Sequence, residues 1–161
     1  MAGMDVPLIV AAWLHTVAFA IAWGYYGVLA RLVMPSLERV LDVPGWAASV
    51  VAIERRALPL LGAALLAIVA TGVWLLVVDP RYGGPGAVLG STWATLMLVK
   101  HVAVIGFVAL AVLVDRATRK LAAAHDNSAR RGAGRRVARL AEVTTGVGAL
   151  IALLTVAAQV A

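Results

Sequence analysis

Three ionisable side chains lie inside long apolar stretches of this sequence: His15 in one stretch, and Lys100 and His101 in another. An ionisable group inside a membrane span is costly and usually marks function. Both histidines lie about eight residues from the start of their stretches, which at 1.5 Å per residue places them at a matched depth of roughly 12 Å. Neutral imidazole is the commonest metal ligand, and haem iron accepts one imidazole on each face. The pair His15 and His101 therefore predicts a metal or haem site.

The composition predicts a membrane protein. The chain has 161 residues, of which 63% are apolar and 14% are charged, whereas an average soluble domain is about 45–50% apolar and about 25% charged. It contains no cysteine, which excludes disulfides, cysteine-ligated zinc and thiol chemistry. The length fits one domain, residues 1–161, with a few membrane-spanning helices.

Four apolar stretches reach the roughly 20 residues that a helix needs to cross a bilayer. They cover residues 6–30, 57–78, 93–114 and 143–161. The fold class predicted from them is all-α, an integral membrane four-helix bundle in up-down-up-down order, whose direct partner is the lipid bilayer.

The distribution of positive charge predicts the orientation. Residues 31–56 and 115–142 hold 12 of the 14 cationic side chains, whereas the opposite side holds one, Arg81 in the connection 79–92. Segments rich in Arg and Lys stay cytoplasmic, so both connections are predicted to be cytoplasmic loops and both termini to lie outside a bacterial-type plasma membrane. The basic segments lack the interleaved aromatic residues of a nucleic-acid-binding surface.

Local patterns refine this outline. Asp42 followed by Pro44 predicts a helix start, with Asp42 as N-cap, for a helix that reaches Val78. Gly132 and Gly134 predict a flexible middle for the second basic connection. Most Trp and Tyr residues are predicted to be anchors at the membrane interface; they are Trp13, Trp93 and Tyr82 on the outer side and Tyr25, Tyr26 and Trp46 on the inner side.

Small residues accompany the histidines on several predicted helices. They include Ala18 and Ala22 in the first stretch and Gly146 and Gly148 in the fourth. Such residues leave room for a large planar ring, and they are also the ordinary means of close helix contact in membranes. Both interpretations stay open at the level of sequence.

Three segments resemble known membrane families. They are WLHTVAFAIAWGYYGVLARLVMPSL from the first stretch, IERRALPLLGAALLAIVATGVWLL around the second and LMLVKHVAVIGFVALAVLVDR from the third. The first resembles the CopD-like copper-resistance membrane domains, and the other two resemble both CopD and the HemJ family of protoporphyrinogen oxidases. The CopD resemblance implies copper handling. The HemJ resemblance implies haem b and redox work, with a functional His–Lys pair matching His15 and Lys100.

The function predicted first is binding of haem b and electron transfer linked to the quinone pool. His15 and His101 would be the axial ligands, Lys100 a propionate partner, a proton carrier or the sixth ligand, and Arg81 a second propionate partner. An oxidoreductase activity is expected only through the haem. The alternatives are copper transport or copper binding through His15, His101 and Met97, HemJ-like porphyrinogen oxidation, and a non-catalytic subunit of a homo-oligomer or larger membrane complex.

Overall fold

The computed structural model describes residues 6–79, 81 and 90–161, and this part of the chain is helical with no strand. Helix α1 covers Val6–Val28 and continues through a π-helical segment, Leu29–Val33, into α2, Met34–Val40. The helices that follow are α3, Val43–Val78, α4, Thr92–Ala122, and α5, Asn127–Val160. Tyr82 and the rest of residues 82–89 in the predicted outer connection lie outside the described residues.

Four helical columns are long and apolar enough to cross a membrane, namely α1 with α2, α3, α4 and α5. They alternate in direction, and α1 packs against α3 and α5, α3 against α4, and α4 along the length of α5. Large apolar side chains such as Leu66 and Ile105 are exposed on the outside of the bundle, as contact with lipid requires. The predicted all-α four-helix bundle is confirmed, with α1 and α4 diagonally opposed.

The helices continue into both basic segments that were predicted as connections. The Asp42 side chain accepts a hydrogen bond from the Gly45 backbone N–H at 3.0 Å and caps α3, so the predicted helix start is confirmed. Asp126 caps α5 in the same way through Ala129 N at 2.8 Å. The predicted flexible middle around Gly132 and Gly134 is wrong, because both glycines lie inside α5. The reason is tertiary packing: Gly134 is buried against a neighbouring helix.

Trp46 of α3 occupies the space that Gly134 leaves open. A Cβ added to Gly134 would lie 1.8 Å from Trp46 Cη2, and the Trp46 side chain is 2% exposed. Tyr26 and Trp93 are buried in the bundle as well, whereas Trp13 is 64% exposed. The predicted interface role is therefore wrong for Tyr26, Trp46 and Trp93.

An aromatic cluster fills the middle of the bundle. Phe107 of α4 contacts Phe19 and Tyr26 of α1, with ring centroids 6.3 and 5.8 Å apart, and Phe19 stacks on Trp23. The Trp23 indole lies against Gly148 of α5 and donates a hydrogen bond to the Thr145 carbonyl at 2.9 Å. The space beside Gly148 is therefore occupied by the Trp23 indole, so this glycine serves close helix contact and leaves no room for a ligand ring.

We predict that Gly134→Ala lowers the free energy of unfolding by about 1–3 kcal/mol, the usual cost of overpacking a close contact. Gly132→Ala is the matched control, because no atom of the described residues lies within 4 Å of its added Cβ and alanine favours the helix by up to about 1 kcal/mol. Reversible unfolding of both variants in mixed micelles measures the difference. Equal stabilities for the two variants would show that Trp46 does not pack on Gly134.

Candidate functional site

One cavity gathers all four residues that the sequence analysis predicted for the site. It has a volume of about 400 Å³ and is lined by His15 of α1, by Lys100 and His101 of α4, and by Arg81. Met97, the methionine predicted as a copper ligand, also lines it. The cavity lies at the end of the bundle that holds Arg81, called here the Arg81 end. The opposite end, which holds Arg31, Arg55, Arg119 and Arg135, is called the basic end.

His15 is held by Thr71 of α3. Its Nδ1 lies 2.9 Å from Thr71 Oγ1, and the Thr71 hydroxyl donates its only proton to the Ala67 carbonyl. Thr71 must then accept from His15, so Nδ1 carries the hydrogen and Nε2 presents a lone pair. Gly72 permits this approach, because an added Cβ would lie 3.1 Å from His15 Cε1.

His101 is fixed in the same tautomer by its own helix. Its Nδ1 lies 2.6 Å from the Met97 carbonyl oxygen, one turn earlier in α4. Because a carbonyl oxygen can only accept, Nδ1 carries the hydrogen and Nε2 has the free lone pair. Although Lys100 and His101 are adjacent in sequence, both side chains line the cavity.

This arrangement suits a metal ion that prefers nitrogen and sulfur ligands. Metal-binding histidines usually donate their second ring N–H to an oxygen that fixes the ring, and both histidines here do so. Within residues 6–79, 81 and 90–161, no group of three or more His, Asp or Glu side chains could hold a metal. The imidazole and thioether side chains that line this cavity are those of His15, His101 and Met97.

The Arg81 guanidinium makes hydrogen bonds and a stacking contact with other residues at the rim of the cavity. It forms two hydrogen bonds of 3.1 Å with the Asp79 carboxylate, stacks 4.8 Å from the centre of the Trp93 ring and donates to the Ala158 carbonyl at 3.3 Å. Hydrogen bonding from Arg81 holds the pKa of Asp79 below its usual value. This clamp ties the C-terminal end of α3 to the start of α4 and the end of α5.

Two contacts were missed by the sequence analysis. Thr71 is the only hydroxyl residue in the stretch 57–78, which could have suggested it as the partner of an intramembrane histidine. Glu54 of α3 accepts a hydrogen bond from the Tyr25 hydroxyl of α1. Its position outside the predicted span concealed it, because a carboxylate in a basic connection is expected to be solvated.

Comparison with known protein families places most of the chain in one family. The family CopD, Copper resistance protein D, matches residues 51–158, which is more than half of the chain. The matched range contains Arg81, Met97, Lys100 and His101, whereas His15 precedes it. No match to a curated protein or to a solved structure is found. The resemblance to CopD is confirmed, and none of these findings supports the resemblance to HemJ.

We predict that Thr71→Val releases the His15 ring from a single tautomer and lowers the free energy of unfolding by about 1–3 kcal/mol, because a buried N–H loses its acceptor. Solid-state ¹⁵N NMR of histidine-labelled protein in lipid, at a pH where imidazole is neutral, measures the tautomer. Thr16→Val is the control, since the exposed Thr16 hydroxyl bonds only to its own helix at Ala12. An unchanged His15 spectrum in Thr71→Val would rule out this hydrogen bond.

Proposed function

The chain belongs to the copper resistance protein D family, and on this basis we propose that it is a copper-carrying membrane protein whose copper site is the cavity at the Arg81 end. The observation that carries the proposal is the shared cavity of His15, His101 and Met97. The chemistry of these donors supports it further, and so does the concentration of arginines at the opposite end of the bundle.

The donor set favours Cu(I). Thioether sulfur selects soft Cu(I), and imidazole binds copper well, whereas hard cations such as Mg²⁺ and Ca²⁺ prefer oxygen. Among the described residues that line the cavity, the one carboxylate, Asp79, is paired with Arg81. Copper would therefore bind through His15 Nε2, His101 Nε2 and Met97 Sδ.

The charges favour access of copper from the Arg81 end. The basic end carries most of the arginines of the chain, and a cluster of one sign repels ions of that sign. At the Arg81 end, the Arg81 charge is balanced by Asp79 at 3.1 Å. We infer from the positive-inside rule that this end is the outer one, so the proposed site is accessible to copper from outside.

Haem b with electron transfer to quinone remains a prediction that the family match does not support. The same holds for HemJ-like oxidation and for a non-catalytic subunit role. The spectrum of the purified protein separates haem from copper directly, because haem gives a Soret band and Cu(I) gives none.

We predict that His15→Ala, His101→Ala and Met97→Leu each weaken Cu(I) binding at least about tenfold, since loss even of an outer-shell partner typically costs 10–100-fold in metal affinity. Competition with a Cu(I) chelator under reducing conditions measures the affinity of the protein in lipid nanodiscs. His125→Ala is the control, because His125 is exposed in the connection between α4 and α5.

Two outcomes would overturn the copper proposal. One is equal Cu(I) affinity in the His15→Ala/His101→Ala double variant and in His125→Ala. The other is a Soret band in the wild-type protein that His15→Ala removes, which would support haem b instead.

We also predict that Lys100→Gln tightens Cu(I) binding about tenfold or more. Lys100 lines the cavity, and within the described part of the chain it makes no ion pair. Even at about 10 Å and an effective dielectric constant of about 20, a unit positive charge opposes a cation by about 1.7 kcal/mol. The same chelator competition measures the effect, with Lys120→Gln at the exposed end of α4 as control. An affinity unchanged by Lys100→Gln would contradict a charged Lys100 beside the bound copper.

A further inference from the structure

Glu54 is a carboxylate buried near the basic end of the bundle. It is 2% exposed and accepts a hydrogen bond from the Tyr25 hydroxyl. The ion pairs in the described part of the chain are Arg81–Asp79 and Arg119–Asp115, so Glu54 has no cationic partner there. A buried carboxylate without a counter-ion is unfavourable as a charge, and the usual result is that it binds a proton.

A second cavity connects Glu54 with the basic end. Its volume is about 410 Å³, and it is lined by Glu54 and Arg55 of α3 and by Asp115, Thr118 and Arg119 of α4. The Thr118 side chain is 4% exposed, and its hydroxyl has no hydrogen-bond partner among the residues that the structure describes. A cavity of this size has room for water, and the Glu54 carboxylate and the Thr118 hydroxyl on its lining are hydrogen-bond partners that such water needs.

The Asp115 carboxylate favours the neutral form of Glu54, whereas the hydrogen bond from the Tyr25 hydroxyl favours the charged form. Asp115 is the second carboxylate of the cavity, and its charge is balanced by Arg119 at 2.9 Å. Two neighbouring carboxylates disfavour double ionisation, and the one without a counter-ion takes the proton. The charged and titratable groups that face Glu54 come from three helices, and they are Tyr25, Tyr26, Arg55, Asp115 and Arg119.

We propose that Glu54 is a proton-binding site that exchanges its proton with the solution at the basic end. The proton arrives through water in the second cavity and bonds to a Glu54 carboxylate oxygen, which converts the carboxylate into a neutral carboxyl. The Tyr25 hydroxyl keeps its own proton throughout, and no other group changes its charge. The proposal does not depend on copper and concerns the opposite end of the bundle from the first cavity.

Infrared difference spectroscopy of the full chain in lipid vesicles tests this site. The wild-type protein is expected to show a protonated carboxyl band at neutral pH that shifts in D₂O. Glu54→Gln is expected to remove the band. Glu142→Gln is expected to leave it intact, because Glu142 is exposed on α5. Tyr25→Phe is expected to shift the band without removing it, since the hydroxyl contact is lost while the carboxyl remains.

Three results would overturn the proposal. One is a carboxyl region at neutral pH that is identical in wild type and Glu54→Gln, which would mean that Glu54 is ionised. Another is a band that disappears in Asp115→Asn, which would place the proton on Asp115. The third is a Glu54 carboxylate signal that depends on Na⁺ or K⁺, which would identify a metal cation as the occupant. If Glu54→Gln fails to fold, a wild-type band that Tyr25→Phe does not shift counts against the site.

Discussion

An imidazole N–H inside an apolar bundle must find an acceptor within the protein, because lipid offers none. His15 meets this requirement through Thr71, and His101 through the Met97 carbonyl. These bonds are local, but the candidate site depends on them. They decide which ring nitrogen carries the hydrogen, and they leave Nε2 as the atom that can bind a metal. With the opposite tautomer, each ring would direct its lone pair at its own helix partner.

The same requirement sets the packing of α1 on α3. His15 bonds to Thr71 near the Arg81 end, and Tyr25 bonds to Glu54 near the basic end. A sliding or rotation of α1 would break both bonds at once, and each break would leave a polar group buried without a partner. Between them, Trp23 joins α1 to α5 through Thr145. Polar contacts therefore determine the register of helices whose surfaces are otherwise almost uniformly apolar.

The sequence predicted the features that depend on local pattern. Apolar runs predicted four membrane helices, and the Asp42–Pro44 pair predicted the start of α3. Matched depth predicted a shared site for His15 and His101, and both residues line the first cavity. The partners across helices were not predictable in this way, since Thr71 and Gly134 acquire their roles only from the neighbour that faces them. Trp46 shows why. A tryptophan at this depth can lie at the membrane interface or pack on a glycine of a neighbouring helix, and only the rotation of α3 about its axis decides which.

The Arg81 clamp anchors the two sides of the first cavity unequally. Through Asp79, Trp93 and Ala158 it joins α3, α4 and α5 at this end. The helix that carries His101, α4, is therefore one of three helices that Arg81 holds together. In the described part of the chain, α1 has one side-chain hydrogen bond to a neighbouring helix here, from His15 itself. The His101 side of the cavity is therefore held by three joined helices, whereas the position of His15 depends on its single hydrogen bond to Thr71.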